Sequence, residues 1–265
     1  MHSIVKKAKE YGCKSVVLDL DNTCYKEDAG FAESIGKGFL RREAERFHMG
    51  NVLTGLWNYA KIKANHRLNH KNNGTSPKNL EILFNTLGKT RIADMVSAYE
   101  FARKHRDNKE LIGFGDFIQD CKDIGSIAIS TGGVDIGPAV VIEKYPVVSG
   151  YAANPVIYEW NGVETSNEPI VHLNGRTLEG ELDWIGKNPM ISGCDMKIIS
   201  PEDKRNHTEK LLNKLGSSLE EALVIFDDHH LDSLVVKNSC LAATSPLATP
   251  ESKKMTKYHI ESYVA

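Results

Sequence analysis

The stretch VVLDLDNTCY, residues 16–25, decides the fold of this chain and raises its chemical question. Its apolar, β-branched start predicts a strand that is buried on both faces, as in a parallel sheet covered by helices. The strand ends in Asp19 and Asp21, two carboxylates that repel each other when they are held close together. A divalent cation that prefers hard oxygen ligands, above all Mg²⁺, removes this repulsion. The stretch therefore predicts a buried strand with a metal site at its carboxyl end.

Further apolar runs predict the other strands of the same sheet. They are SIAIS (126–130), PVVSG (146–150), ALVIF (222–226) and CLAAT (240–244). Helical patterns separate these runs, and a helix is expected to close the chain. The helix over 200–216 is marked by a Ser200–Asp203 capping box, by Pro201 in its first turn and by Gly216 at its end. Alternation of buried strands and helices predicts an α/β fold, a doubly wound parallel sheet of the Rossmann-like type.

Two segments interrupt this alternation. Residues 29–123 have a helical apolar pattern, which predicts a helical cap domain inserted between the first and second core strands. Residues 151–192 are β-like, with WNGVE and LNGR as hairpin turns, and predict a small β-hairpin insertion. We therefore expect a core formed by residues 1–27 and 115–265, and a cap formed by residues 28–114.

Composition limits the cellular locations and the classes of binding partner that are expected for this chain. The chain has 265 residues, 41% hydrophobic and 26% charged, with a net charge of −2. No apolar run is long enough for a membrane span and none follows the first lysines as in a signal peptide. The five cysteines are scattered without a C-x-x-C pair, which is typical of reduced thiols. We expect a cytoplasmic protein with neither nucleic acid nor membrane as partner, and the oligomeric state stays open.

Polar residues also follow the later strand candidates, where the carboxyl ends of a doubly wound sheet bind ligands. Ser130 and Thr131 precede Gly132 and Gly133 and can offer hydroxyl and amide donors to an anion. Lys204 lies in the first turn of the capped helix. An acidic cluster follows ALVIF and consists of Asp227, Asp228 and Asp232. The order of these groups predicts a phosphate and Mg²⁺ site, although each of them alone is more often a turn or a solvated surface.

The four groups together resemble the motifs of the haloacid dehalogenase superfamily of aspartate-nucleophile phosphatases and phosphotransferases. They are similar to its DxDxT motif at Asp19-x-Asp21-x-Thr23, its strand-end hydroxyl residue, its lysine and its acidic motif at Asp228-x-x-x-Asp232. The phosphoserine-phosphatase-like branch is the best match. It has a helical cap after the first motif, a glycine pair at the second, and an Ala-Asn before a β-hairpin, which resembles Ala153-Asn154 here.

This resemblance implies a mechanism. Asp19 would be the nucleophile that forms an aspartyl-phosphate, and Asp21 would be the general acid and base. Mg²⁺ would be held by Asp19, by the backbone carbonyl of Asp21 and by an acidic residue after the later strand. Asp228 would be that residue, and Asp227, which stands where the motif usually has a glycine, is the alternative, with Asp232 in support.

The same resemblance implies a phosphate-binding group. Lys204, Gly132 and Thr131, with Ser130 as the alternative to Thr131, would hold the phosphoryl oxygens of a small phosphorylated substrate.

Some features leave the function open. A phosphotransferase and a non-catalytic phospholigand-binding protein are the alternatives to a phosphomonoesterase. The basic stretch KIKANHRLNHK (61–71) fits a solvated helix face or the attraction of an anionic substrate to the cap. Glu27 and Asp28 lie near the position at which the resembling branch recognises a substrate amine. His229 and His230 are interpreted as loop residues beside the site, because no third ligand at zinc spacing accompanies them.

Overall fold

A computed structural model describes residues 1–26, 50, 53, 56, 57, 60, 102–104, 106–173 and 190–264. The helices in this part of the chain include α1 (Ser3–Glu10), α2 (Phe114–Cys121), α3 (Ile136–Lys144), α4 (Pro201–Lys214), α5 (His229–Lys237) and α6 (Pro250–Lys253). The strands are β1 (Ser15–Leu18), β2 (Ser126–Val134), β3 (Val148–Asn154), β4 (Val156–Trp160), β5 (Val163–Ser166), β6 (Ile170–His172), β7 (Met190–Cys194), β8 (Ala222–Phe226) and β9 (Leu241–Thr244). Among the described residues, no helix has the length and apolar character required to cross a membrane.

The larger sheet has the strand order β6-β3-β2-β1-β8-β9 within the described residues. Neighbouring strands are parallel except for β6, which runs antiparallel to β3. The apolar strand β1 is fully buried and lies between β2 and β8, with Ser15 opposite both Ser126 and Ala222. This topology confirms the predicted doubly wound α/β core.

Both faces of the sheet are covered, and the two-residue period of β1 divides its side chains between the two layers. Val16 and Leu18 lie in one apolar cluster with residues of α1 and α2, such as Phe117. Val17 lies in the other cluster, against Leu211 of α4 and further residues of α5. The continuous apolar sequence of β1 follows from this burial on both faces.

A small antiparallel sheet with the order β5-β4-β7 forms the predicted β-rich insertion. The WNGVE turn is a hairpin as expected, because Asn161 and Gly162 both have positive φ angles, 50° and 79°. Two consecutive residues of this kind match the right-handed twist of the strands that they join. The predicted LNGR turn lies outside the described residues from position 174 onward.

Three predicted boundaries differ from the structure. Strand β2 continues past Ser130 to Val134 through a register shift, and β3 ends only at Asn154. The predicted closing helix is limited to the four residues of α6. After it, the backbone of Thr244 pairs with the extended segment, accepting a hydrogen bond from Ile260 N at 3.0 Å. Pairing with the end of β9 therefore replaces the expected helix.

The backbone segments that flank the predicted cap lie beside each other in the core. Lys26 N donates to Lys109 O at 2.7 Å, and Leu111 N donates to Cys24 O at 3.2 Å. The backbone on either side of the predicted insertion is thus paired immediately after the first motif. Most of the predicted cap, residues 28–114, lies outside the described residues, and so do Glu27, Asp28 and the basic stretch 61–71.

Candidate active site

Asp19 lies at the carboxyl end of β1, where the sheet brings the end of β8 beside it. The Asp19 amide donates to Ile225 O at 2.9 Å, so the two strands end at the same level. The Asp19 carboxylate is buried, with 7% of the residue exposed. Asn22, three residues later, has a φ of 52°, which turns the backbone away from the strand direction. This turn is possible because asparagine tolerates the left-handed region better than most residues do.

Lys204 lies between two buried carboxylates. The predicted capping box is present, with reciprocal hydrogen bonds between Ser200 and Asp203, and it places Lys204 in the first turn of α4. The Lys204 Nζ lies 2.8 Å from Asp19 Oδ1 and 2.7 Å from Asp232 Oδ1. Burial would lower the pKa of Lys204, but the Asp19 and Asp232 carboxylates outweigh it and raise this pKa. Lys204 is therefore a fixed positive charge at this position.

The two residues after β8 have different environments. Asp227 is buried, and its carboxylate joins those of Asp19 and Asp232. Asp228 lies at the N-cap of α5, where its Oδ1 accepts from His230 N at 2.8 Å. Of the two candidates, the structure brings Asp227 into the cluster and uses Asp228 to cap the helix. His229 and His230, expected in a loop, form the first turn of α5, with stacked rings 4.6 Å apart.

The carboxylate cluster fits a divalent cation with oxygen ligands. One oxygen from each of Asp19, Asp227 and Asp232 lies within 4.8 Å of the others. Asp232 Oδ2 is buried and has no hydrogen-bond partner. Burial, and then the neighbouring Asp19 carboxylate, raise the pKa of Asp227 well above its usual range. Carboxylate oxygens are hard ligands of the kind that Mg²⁺ prefers. The positive charge of Lys204 alone does not balance the three carboxylates of this cluster.

The hydroxyls of Ser130 and Thr131 have different partners, because successive residues of a strand point to opposite sides. Ser130 Oγ pairs with Thr208 Oγ1 of α4 at 2.6 Å, inside the core. Thr131 Oγ1 accepts from Gly133 N at 2.9 Å. A Cβ added to Gly133 would lie 3.2 Å from Thr131 Oγ1 and 4.0 Å from Asp21 Oδ2. Thr131 thus lies with Asp21 beside Gly133, while Ser130 supports the packing of α4.

Asn154 connects Gly132, in the last part of β2, to the segment before α4. Its Nδ2 donates to Gly132 O at 2.8 Å and to Ile198 O at 3.2 Å. Its Oδ1 accepts from Lys197 N and Ile198 N, each at 2.7 Å. Gly132 is also close to α5, because an added Cβ would lie 2.5 Å from Leu231 Cδ1. These contacts fix the part of β2 that follows Thr131 relative to the helix that carries Lys204.

Three residues near the cluster had no role in the sequence prediction. Asn22 Nδ2 donates to Asp227 Oδ2 at 3.0 Å, Ser245 Oγ donates to Asn22 O at 2.8 Å, and Ser252 Oγ donates to Asp227 O at 2.5 Å. Asn22 stands inside the first motif, and this position is the one sequence signal available for it. Ser245 and Ser252 follow the last strand and carry no recognisable pattern.

Comparison with known proteins gives the fold. A phosphoserine phosphatase in apo form superposes with a TM-score of 0.59 and 16% identity over 95% of this chain and 94% of its own. A probable phosphoserine phosphatase from Vibrio cholerae gives 0.60 and 11% over 97% of this chain and 67% of its own. The chain has the haloacid dehalogenase fold of the phosphoserine-phosphatase-like type. The resemblance inferred from the motifs is thereby confirmed at the level of fold.

A haloacid dehalogenase family hydrolase from Salmonella enterica serovar Typhi has the same fold, with a TM-score of 0.58 and 14% identity over 93% of this chain and 66% of its own. No protein-family model matches the chain, and no curated protein matches it in sequence. At these identities the haloacid dehalogenase likeness is one of fold, so the chemistry has to be argued from the side chains of this chain.

Proposed function

We propose that this chain is a Mg²⁺-dependent phosphomonoester hydrolase that uses Asp19 as its nucleophile and acts on a small phosphorylated metabolite. The observation that supports it most is the buried contact of Lys204 with both Asp19 and Asp232, beside Asp227. Burying one ammonium among several carboxylates costs desolvation free energy, and apolar residues of similar size would often give a more stable core. This arrangement therefore favours a functional role for the group. Solved structures of similar fold include a substrate-bound complex and a phospho-aspartyl intermediate analogue of phosphoserine phosphatase.

Asp19 and Lys204 carry the first half of the proposed reaction. Asp19 attacks the phosphorus of the substrate, the bond to the leaving oxygen breaks, and an aspartyl-phosphate forms. The contact of Lys204 with Asp19 Oδ1 orients this carboxylate, and Oδ2 is the proposed attacking oxygen. Lys204 also neutralises charge on the phosphoryl oxygens, together with the Thr131 hydroxyl and the backbone around Gly132.

Asp21 carries the proton transfers. It gives a proton to the leaving alcohol and then takes one from the water that hydrolyses the aspartyl-phosphate. Its carboxylate lies on the same side as Thr131, facing Gly133, which suits a group that must reach the leaving oxygen rather than the nucleophile. Glycine at 133 keeps this space open.

Asp19, Asp227 and the backbone carbonyl of Asp21 are the proposed Mg²⁺ ligands, and Asp232 supports them through its buried Oδ2. When bound, the ion neutralises the repulsion between the nucleophile and the phosphate. Asp228 is left out of this set because it caps α5. Residues 28–114 are proposed to be a lid that excludes water and selects the leaving group.

Phosphate release from p-nitrophenyl phosphate and a panel of phosphorylated metabolites tests the proposal. We expect turnover with Mg²⁺, none with EDTA and none for Asp19→Asn. Asp227→Asn and Asp228→Asn are the same substitution at adjacent positions, so each variant serves as the control for the other. Asp227→Asn should raise the Mg²⁺ concentration needed for half activity at least tenfold, whereas Asp228→Asn should not, because asparagine is also a good N-cap.

Product analysis separates the alternatives. Transfer of the phosphoryl group to an added alcohol, without free phosphate, would indicate a phosphotransferase. A folded protein that binds phosphorylated ligands without turning any of them over would indicate a non-catalytic binding protein. Turnover that persists in Asp19→Asn would contradict the proposed nucleophile.

A further inference from the structure

Asp227 differs from the other two carboxylates of the cluster in the partner that holds it. Asp19 and Asp232 contact the Lys204 ammonium, whereas the donor to Asp227 Oδ2 is the neutral side-chain amide of Asn22, at 3.0 Å. An amide fixes the position of a carboxylate oxygen without cancelling its charge. It therefore orients Asp227 without supplying a positive charge, which is left for a cation to supply.

The backbone conformation of Asn22 makes this contact possible. With a φ of 52°, Asn22 lies in the left-handed region, directly after Asp21 and three residues after Asp19. This turn sends its side chain across to the end of β8, 205 positions away in sequence. Asparagine combines tolerance of this conformation with an amide donor, and glycine would supply the conformation alone.

Two serines hold the backbones of the same two loops. Ser245 Oγ donates to Asn22 O at 2.8 Å, and Ser252 Oγ donates to Asp227 O at 2.5 Å. Ser252 is fully buried, and its position is fixed because its amide donates to Thr249 Oγ1 at the N-cap of α6. The segment after β9 thus ties the loop of the first motif to the loop of Asp227.

We propose that Asn22 is a positioning residue that sets the Asp227 carboxylate for a divalent cation, with Ser252 holding the Asp227 backbone from behind. The inference rests on the proposed Mg²⁺ site and deepens it. Loss of a side chain that orients a metal ligand typically weakens metal affinity about 10- to 100-fold. We expect about a tenfold loss for Asn22, because the backbone contacts of Ser245 and Ser252 remain.

The test is Mg²⁺ binding to the free, full-length protein, measured by titration calorimetry without substrate. Asn22→Gly keeps the backbone conformation and removes the amide. Asn161→Gly is the matched control, because Asn161 has nearly the same φ, 50°, in an exposed hairpin turn. The unfolding midpoint of each variant in EDTA measures any purely structural effect.

We expect Asn22→Gly to bind Mg²⁺ about tenfold more weakly and Asn161→Gly to bind it as the wild type does, with similar midpoints in EDTA. Equal affinity in a folded Asn22→Gly would overturn the inference and leave the proposed function standing. A wild type that binds no Mg²⁺ would overturn the proposed metal site and this inference with it. If Asn22→Gly does not fold, Mg²⁺ binding is measured on Ser252→Ala instead. An unchanged Mg²⁺ affinity of Ser252→Ala would also overturn the inference.

Discussion

Asp135 is a buried carboxyl group outside the proposed chemistry, and it makes the stability of the core sensitive to pH. It follows β2 and is 2% exposed. Its Oδ1 accepts from Val156 N at 3.3 Å and its Oδ2 from Asn167 Nδ2 at 3.1 Å, so it connects the core to the small sheet. Burial raises its pKa from 3.8 to about 7, and these hydrogen bonds only partly oppose the rise.

The sign of the effect follows from proton binding. Between pH 4 and 7 the folded protein retains the Asp135 proton and the unfolded chain has released it, so the free energy of unfolding falls as the pH rises. With the pKa values of 3.8 and about 7, the loss between pH 5 and pH 8 is about 3 kcal/mol. Cys194 does not titrate in this range, because burial and then Asp135 raise its pKa to about 12.

Asp135→Asn tests this reasoning because the amide keeps the shape and cannot ionise. The variant should match the wild type near pH 5 and exceed its free energy of unfolding by about 3 kcal/mol at pH 8. Urea unfolding from pH 5 to 8 gives the difference, in which all other titrating groups cancel. The exposed Asp116→Asn serves as the control for the substitution itself. A difference that does not change with pH would refute the argument.

The remaining predictions concern the site and its support. Thr131→Val should lower kcat/KM about 10²-fold. Ser130→Ala should retain turnover and lower the free energy of unfolding by about 1 kcal/mol. Comparable losses of turnover in both variants would contradict the assignment of Thr131 to the phosphate and of Ser130 to packing. Lys204→Met should lower the free energy of unfolding in EDTA by about 3–5 kcal/mol, because it leaves buried carboxylates without a counter-charge. The exposed Lys210→Met in the same helix should leave it unchanged. Asn154→Ala should cost at least about 2 kcal/mol in urea unfolding, because its backbone partners lose their hydrogen bonds.

The core strands were predictable because they are buried on both faces. ALVIF matches β8 from end to end, since an apolar run flanked by polar residues has no other place in such a sheet. The carboxyl end of β2 was not predictable. Gly132 and Gly133 suggest a turn, yet the strand continues to Val134 because the register shift lets it remain paired with β3.

The same limit applies within the candidate site. The order of the motifs pointed to Asp19, Lys204 and Asp232, which the structure brings together. Choosing between Ser130 and Thr131 requires the side of the strand on which each hydroxyl lies, and a shift of one residue reverses it. The contact of Asn22 with Asp227 was not predictable, because it depends on the left-handed backbone conformation of Asn22, which the motif pattern does not specify.

If the proposed Mg²⁺ site is correct, the charges of the cluster favour a neutral amide over a second lysine as the partner of Asp227. Asp19, Asp227 and Asp232 carry three negative charges when ionised, and Lys204 supplies one positive charge, which leaves −2. Before substrate binds, a divalent cation would balance the remainder of these three carboxylates and Lys204, which lowers the cost of keeping their charges buried. A cationic partner for Asp227 would leave −1, so that a divalent ion would bring an uncompensated positive charge into the interior. In the proposed Mg²⁺ site, the Asn22 amide would therefore orient the third carboxylate and leave the charge balance to the ion.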